Sequence, residues 1–234
     1  EQYQEFIKVK EQTNDHEFLA QKMISIFCDI TMKEVLNIKY NSLVEVSNHF
    51  IELFETKPEF KTRFEFNGIE FGFIPKLDDI SLGEYIDLEK HLSNSMHKVA
   101  AILYRPITNK IGSKYEIRPY EIDEDTQELM KQLPVSIAIS STLFFLPFRK
   151  RIVDAYPRIF KQDDTGQETS FTSRAVFATK WSWYQSIYAI AKGDLTKFEE
   201  VTRLGIHECL TYLTFETEKN EIEQQELDKI TKRK

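Results

Sequence analysis

Glycine and proline are scarce in this chain, with seven of each among 234 residues. So little turn punctuation argues against a sandwich or barrel of many short strands. Cysteine is scarcer still: Cys28 and Cys209 stand far apart, with no second Cys or His at metal-ligand spacing, so no disulfide framework is expected and a reducing cytoplasm fits best. No hydrophobic run is long. The longest, Val135 to Phe148, is interrupted by Ser136, Ser140, Ser141, Thr142 and Pro147, and it falls short of the roughly 20 residues that a bilayer span needs. Positive charge is the minority sign, 31 Lys and Arg against 38 Asp and Glu for a net charge of −7. A general binder of phosphate backbones needs the opposite balance. The chain opens on Glu1-Gln2-Tyr3 without an initiator Met or a charged-then-apolar leader pattern, which reads as a trimmed or processed start.

Motifs of catalysis are missing as well. The glycines form neither GxGxxG nor GxxxxGK[ST], and no GxSxG or HExxH pattern occurs, so the sequence offers no nucleotide cradle, nucleophile elbow or zinc-protease helix. No cofactor, metal site or catalytic residue is expected, and the chain reads as a protein that is not an enzyme.

What the chain does have is apolar bulk, 41% hydrophobic residues including 18 Phe, arranged with helical periodicity. Leu19, Met23, Ile26, Phe27 and Ile30 make one stripe of a helix over about 16–29. Thr31-Met32-Lys33-Glu34, Ser42-Leu43-Val44-Glu45 and Ser81-Leu82-Gly83-Glu84 each carry a capping-box pattern that opens a helix. Between Arg63 and Ile74 the period drops to two around Asn67-Gly68, the signature of a hairpin with a type I′ turn. Tyr115 to Tyr120 reads as a short strand or extended segment, Asp123-Glu124-Asp125 as a helix start, and Val135 to Leu146 as a central buried helix broken or kinked by Pro147. A long helix over about 172–191 is expected to bury Ala175, Phe177 or Ala178, Trp181, Tyr184, Ile187 and Tyr188, with Gly193 just past its end. The last helix starts near Leu204 and continues into a charged arm. The expected fold class is mainly α: a multi-helix body with one β-hairpin at about 63–74. Three regions are expected, a helical module at 1–60, a hairpin and helical core at 61–162, and C-terminal helices with the arm at 163–234, with the loop 163–167 as the candidate boundary and one continuous domain as the alternative.

Polar clusters are few. His91 and His97 fall on different faces or across a helix break, which argues against a metal pair. Asp78, Asp79, His91 and His97 form the densest polar group for an enzyme assembled from distant residues; capping and solvation explain them better. The exception in an acidic chain is the basic segment Arg149, Lys150, Arg151, Arg158 and Lys161, opposed locally only by Asp154 and interleaved with Phe148, Tyr156 and Phe160. It reads as a solvated helix face or as a contact for an acidic partner, with DNA second. Trp183, out of phase with Trp181, Tyr184 and Tyr188, is the aromatic expected at a protein interface. The arm is polarised, six acids and one Lys over Glu216 to Asp228 and then four bases in Lys229 to Lys234, a pattern suited to docking.

Several phrases taken together resemble a known family: Phe18-Leu19-Ala20 followed by Asp29-Ile30-Thr31-Met32-Lys33-Glu34-Val35-Leu36, then Leu82-Gly83-Glu84-Tyr85-Ile86-Asp87-Leu88, and Ala101-Ile102-Leu103-Tyr104-Arg105-Pro106-Ile107. Leu133-Pro134 with Phe144-Phe145, and Trp181 to Gly193 with Phe198-Glu199-Glu200-Val201, extend the likeness over most of the chain. These resemble small tailed-phage proteins encoded among virion genes, including those of crAss-like phages. The resemblance implies a structural, tail-lumen cargo or tail-assembly role, carried by structural signatures rather than catalytic ones. It also implies a place in the phage particle or, during assembly, the host cytoplasm. Tail or portal proteins, or copies of the chain itself, would be the partners. The alternative it leaves open is a tail-assembly chaperone that acts and departs.

Overall fold

A computed structural model describes residues 2–55, 58–160 and 173–231. Lys161, the loop 163–167, Thr172, and Lys232 to Lys234 lie outside the described residues, as do the side chains of Leu53, Ala175, Phe177 and Ala178. The fold is mostly helical, 68%, with twelve α-helices and one four-stranded antiparallel sheet among the described residues. Two compact units divide the chain, and each is built from two stretches: Glu1–Phe73 with His91–Phe144, and Ile74–Lys90 with Phe145–Lys234.

The first unit begins with four helices, α1 (Gln2–Gln12), α2 (His16–Phe27), α3 (Met32–Val35) and α4 (Tyr40–Glu55). Asp15 caps α2, its carboxylate accepting from the amides of Glu17 and Phe18. Thr31 and Glu34 form the expected capping box on α3. The Ser42 pattern does not cap: α4 already starts at Tyr40, so Ser42 sits inside the helix. Phe27 is the hub of an aromatic cluster, its ring 5.9 Å from Phe6, 5.2 Å from Phe50 and 5.1 Å from Phe54. The sheet follows, with β1 (Arg63–Phe66) and β2 (Ile69–Phe73) joined through Asn67 and Gly68, both at positive φ as a type I′ turn requires.

A second hairpin adds to this one. After α5 (Leu82–His91) and α6 (Met96–Leu103) the chain enters β3 (Tyr104–Ile111) with no intervening loop and returns as β4 (Lys114–Ile117), so the strand order is β1-β2-β3-β4. Pro106, which lacks an amide, pairs with Phe71 in the β2–β3 register and gives its carbonyl to the Arg118 N–H. Gly72 makes room for the Tyr115 ring, which lies where a Cβ would stand, and the Tyr115 hydroxyl donates to the Phe73 carbonyl at 2.7 Å. Asp123 caps α7 (Glu124–Met130).

α8 (Val135–Ala155) is continuous through Pro147 rather than ending there. Its apolar residues are not buried all round: Ile137, Ala138, Phe145, Phe148 and Ile152 are buried, whereas Leu143, Phe144 and Leu146 are exposed.

In the second unit, a 3-10 turn at Leu77–Asp79 and α5 meet the C-terminal part of the chain. The Ser81–Glu84 capping box forms as expected, the Ser81 amide donating to Glu84 at 2.7 Å. Ser81 also bridges Gly205, with the Leu82 amide donating to the Leu204 carbonyl and the Ile206 amide to the Ile80 carbonyl. α9 (Pro157–Phe160), α10 (Ser173–Ile190), α11 (Phe198–Arg203) and α12 (Ile206–Thr231) complete the unit. Gly193, at φ 78°, closes α10 with its amide on the Tyr188 carbonyl. Tyr85, Leu88, Phe145, Ile152, Ile206 and Leu210 form the core.

No single helix among the described residues is long and apolar enough to cross a membrane.

Candidate functional site

The basic segment maps to the end of α8 and to α9, and every described cation in it has an acid beside it. Arg149 grips Glu89 with two nitrogens, at 2.5 and 3.0 Å. That bidentate contact raises the guanidinium above its ordinary pKa. Lys150 pairs with Asp154 one helical turn on, Arg151 with Asp78 at 3.4 Å, and Arg158 with Glu221 at 3.2 Å. Asp154 is the opposing acid visible locally in the sequence; Glu89, Asp78 and Glu221 are brought in by the fold.

Asp78 serves a second group. Its carboxylate lies 3.5 Å from His207 Nε2, while His207 Nδ1 shares a 2.9 Å hydrogen bond with the Tyr156 hydroxyl. Tyr156 also donates to the His207 carbonyl. The chain Asp78, His207, Tyr156 thus links the 3-10 turn, the start of α12 and the residue before α9. The other candidates do not join it: Asp79 pairs with Lys76, and His91 and His97 belong to the first unit. Among the described residues no three His, Cys, Asp or Glu side chains converge at metal-binding distance.

The aromatic expectation on α10 is reversed. Trp183 packs into the second unit, edge-on to Tyr85 at 5.8 Å and to Phe160 at 5.9 Å. The side chains assigned to the core, Trp181, Tyr184 and Tyr188, are 38%, 44% and 53% exposed. The cause is Ser182, whose φ of 32° and ψ of −121° break the helix between the two tryptophans. A period of 3.6 cannot be carried across that break. Trp181, Tyr184 and Phe198 form an outward row, with centroids 5.3 and 5.5 Å apart.

The outer half of α12 is the longest stretch without cover among the described residues. Every side chain from Glu218 to Thr231 is exposed, apolar Ile222, Leu227 and Ile230 included. The first unit offers a different feature, an open cavity of about 310 Å³ walled by Tyr3, Phe27, Phe50, Phe54, Met96 and Met130, with His97 and Gln132 among its polar lining. Its volume and apolar walls are those of a small-ligand or side-chain pocket.

Compared with protein-family models, curated proteins and solved structures, the chain matches none.

Proposed function

We propose that the protein is a non-enzymatic component of a tailed-phage particle, a structural or delivered cargo protein of the tail or portal region. The observation that carries this reading is the outer half of α12. A helix takes most of its stability from packing an apolar stripe, and this one leaves its apolar side chains largely uncovered by the described residues of its own chain. Such a helix is a docking arm, and the phrases that resemble virion-gene proteins give the arm its setting. Acidic partners are met at the basic segment where the cations reach furthest into solvent, first at Lys150, whose side chain is 76% exposed and whose acid lies on its own helix. DNA ranks second as a partner because the net charge of −7 repels phosphate at longer range.

The second reading, a tail-assembly chaperone, is favoured by the open aromatic cavity of the first unit, which suits transient capture of a client's apolar side chains. Mass spectrometry of purified particles and of assembly intermediates separates the two. The virion reading expects stoichiometric copies in finished particles. Copies on intermediates but none on finished particles would replace it with the chaperone.

A further inference from the structure

The exposed stripe of α12 has an internal symmetry that identifies an occupant. At 100° per residue, Phe215, Ile222 and Ile230 fall within an arc of about 80° on the side roughly opposite the buried Ile206, Cys209, Leu210 and Leu213. These three are 60%, 58% and 61% exposed. Between Phe215 and Ile230 two charged residues lie inside the same arc, Lys219 and Glu226. Lys219 follows Phe215 by one turn, Glu226 precedes Ile230 by one turn, and Ile222 lies close to the midpoint.

We propose that this stripe is a self-pairing surface, on which α12 of a second copy of the chain lies antiparallel about a two-fold axis near Ile222. In that register Phe215 packs on Ile230 of the second copy, the two Ile222 side chains flank the axis, and Lys219 faces Glu226, each contact occurring twice by symmetry. Glu218 and Lys229 come together on one flank. A parallel pairing sets Lys219 on Lys219 and Glu226 on Glu226, like charges within an otherwise apolar seam, so the charges select the antiparallel arrangement as seam and flanking charges do in coiled coils. Among the described residues of one chain Lys219 pairs with Glu223, at 3.9 Å in an exposed pair, an interaction weak enough to be exchanged for an intermolecular one. Arg158 and Glu221 meet on another side of the helix and leave the stripe clear.

The inference rests on reading the outer half of α12 as an interaction arm, and it names the arm's partner. Sedimentation of the whole chain over the micromolar range is the test. The wild-type chain of 27.7 kDa is expected to shift toward twice that mass as concentration rises. Lys219→Glu and Glu226→Lys are each expected to remain monomeric, because each sets two like-charge contacts across the seam. An equimolar mixture of the two variants is expected to recover the dimer. One variant then carries an acid at both seam positions and the other a base at both, so every charged contact across the mixed seam joins opposite signs. All these positions are solvent-exposed, so circular dichroism should show the fold intact. A wild-type chain that stays monomeric throughout, or a dimer indifferent to both substitutions, overturns the proposal. The arm reading fails separately: deleting 216–234 would then leave incorporation into particles unchanged.

Discussion

The two units hold distant stretches of chain together by different means. In the first, the joins are backbone ladders and rings: β2 to β3, Phe64 and Phe73 against Tyr104, and Phe60 stacked on Phe144 at 4.2 Å. In the second, besides the short backbone bridge between Ser81 and Gly205, three ion pairs join acids of Ile74–Lys90 or of α12 to the α8–α9 segment: Arg149 with Glu89, Arg151 with Asp78 and Arg158 with Glu221. A sheet edge recruits its neighbour through groups that every residue carries, whereas the middle of a helix has spent its backbone bonds on itself and must use side chains. Ion pairs there add direction more than energy, because exposed pairs contribute little. The stability of the second unit therefore comes from its apolar core, with the charges fixing how the segment 74–90 lies.

Phe71→Ala in the first unit and Phe145→Ala in the second test that contrast hardest. Both side chains are fully buried, and each truncation is expected to cost about 3–5 kcal/mol in urea unfolding. Each unit carries one cysteine as a reporter. Cys28 is exposed, whereas Cys209 is buried and its thiol is pushed up to about 11 by that burial. Alkylation should modify Cys28 at once and Cys209 only on opening, and Phe145→Ala should speed the second reaction. Equal protection of Cys209 in that variant would contradict the role given to Phe145.

Gly72→Ala should cost about 1–3 kcal/mol, because the added methyl would stand 2.4 Å from the Tyr115 ring. The ring must move and release its hydroxyl from the Phe73 carbonyl, so loss of that tyrosine's upward pKa shift, which burial causes, would accompany the destabilisation in a spectroscopic titration. Glu89→Ala should cost less, about 1–2 kcal/mol, since the Arg149 side chain it abandons is 40% exposed. A loss as large as that of Phe145→Ala would show that charge, not apolar packing, carries the second unit.

Asp123→Asn is the smallest effect, about 0.5 kcal/mol, since Asn still caps α7. Hydrogen bonds from the Thr126 hydroxyl and amide, with Arg118, hold the Asp123 carboxyl below its usual value. A depressed carboxyl contributes stability that is complete above about pH 4 and fades as pH falls through the folded-state value. The wild-type chain should thus lose stability on the acid side of pH 4 more steeply than the variant does. Identical acid limbs would remove Asp123 from the account.

Local chemistry was legible wherever one stretch of chain holds all its parts. The 63–74 hairpin, the Thr31 and Ser81 capping boxes, the Asp123 cap and the Gly193 helix end all require residues within a few positions of each other. The second hairpin was only half visible: Tyr115 to Ile117 looked extended, but β3 carries Pro106, which lacks the amide of an ordinary strand residue, and its stretch was not read as a strand. Ser182 has no signature among its neighbours, so one backbone excursion exchanged the inside and outside of the Trp181 to Tyr188 face. The ion partners of Arg149, Arg151 and Arg158 were illegible because nothing local marks Glu89, Asp78 or Glu221 as their acids. For the candidate site this means that the arm and its charge polarity could be read, and the neutralised state of the basic segment could not.

The bridge between Ser81 and Gly205 also sets a schedule for synthesis. Ile80 and Leu82 leave the ribosome long before Leu204 and Ile206, the residues whose backbone groups they bond. At roughly 5–20 residues per second, the interval is of the order of ten seconds. Through that time Leu82, Tyr85 and Leu88, all destined for full burial, stand on a segment whose partners on α11 and α12 do not yet exist. The nascent chain thus exposes an apolar segment over that interval, and the second unit closes only once α12 has been made.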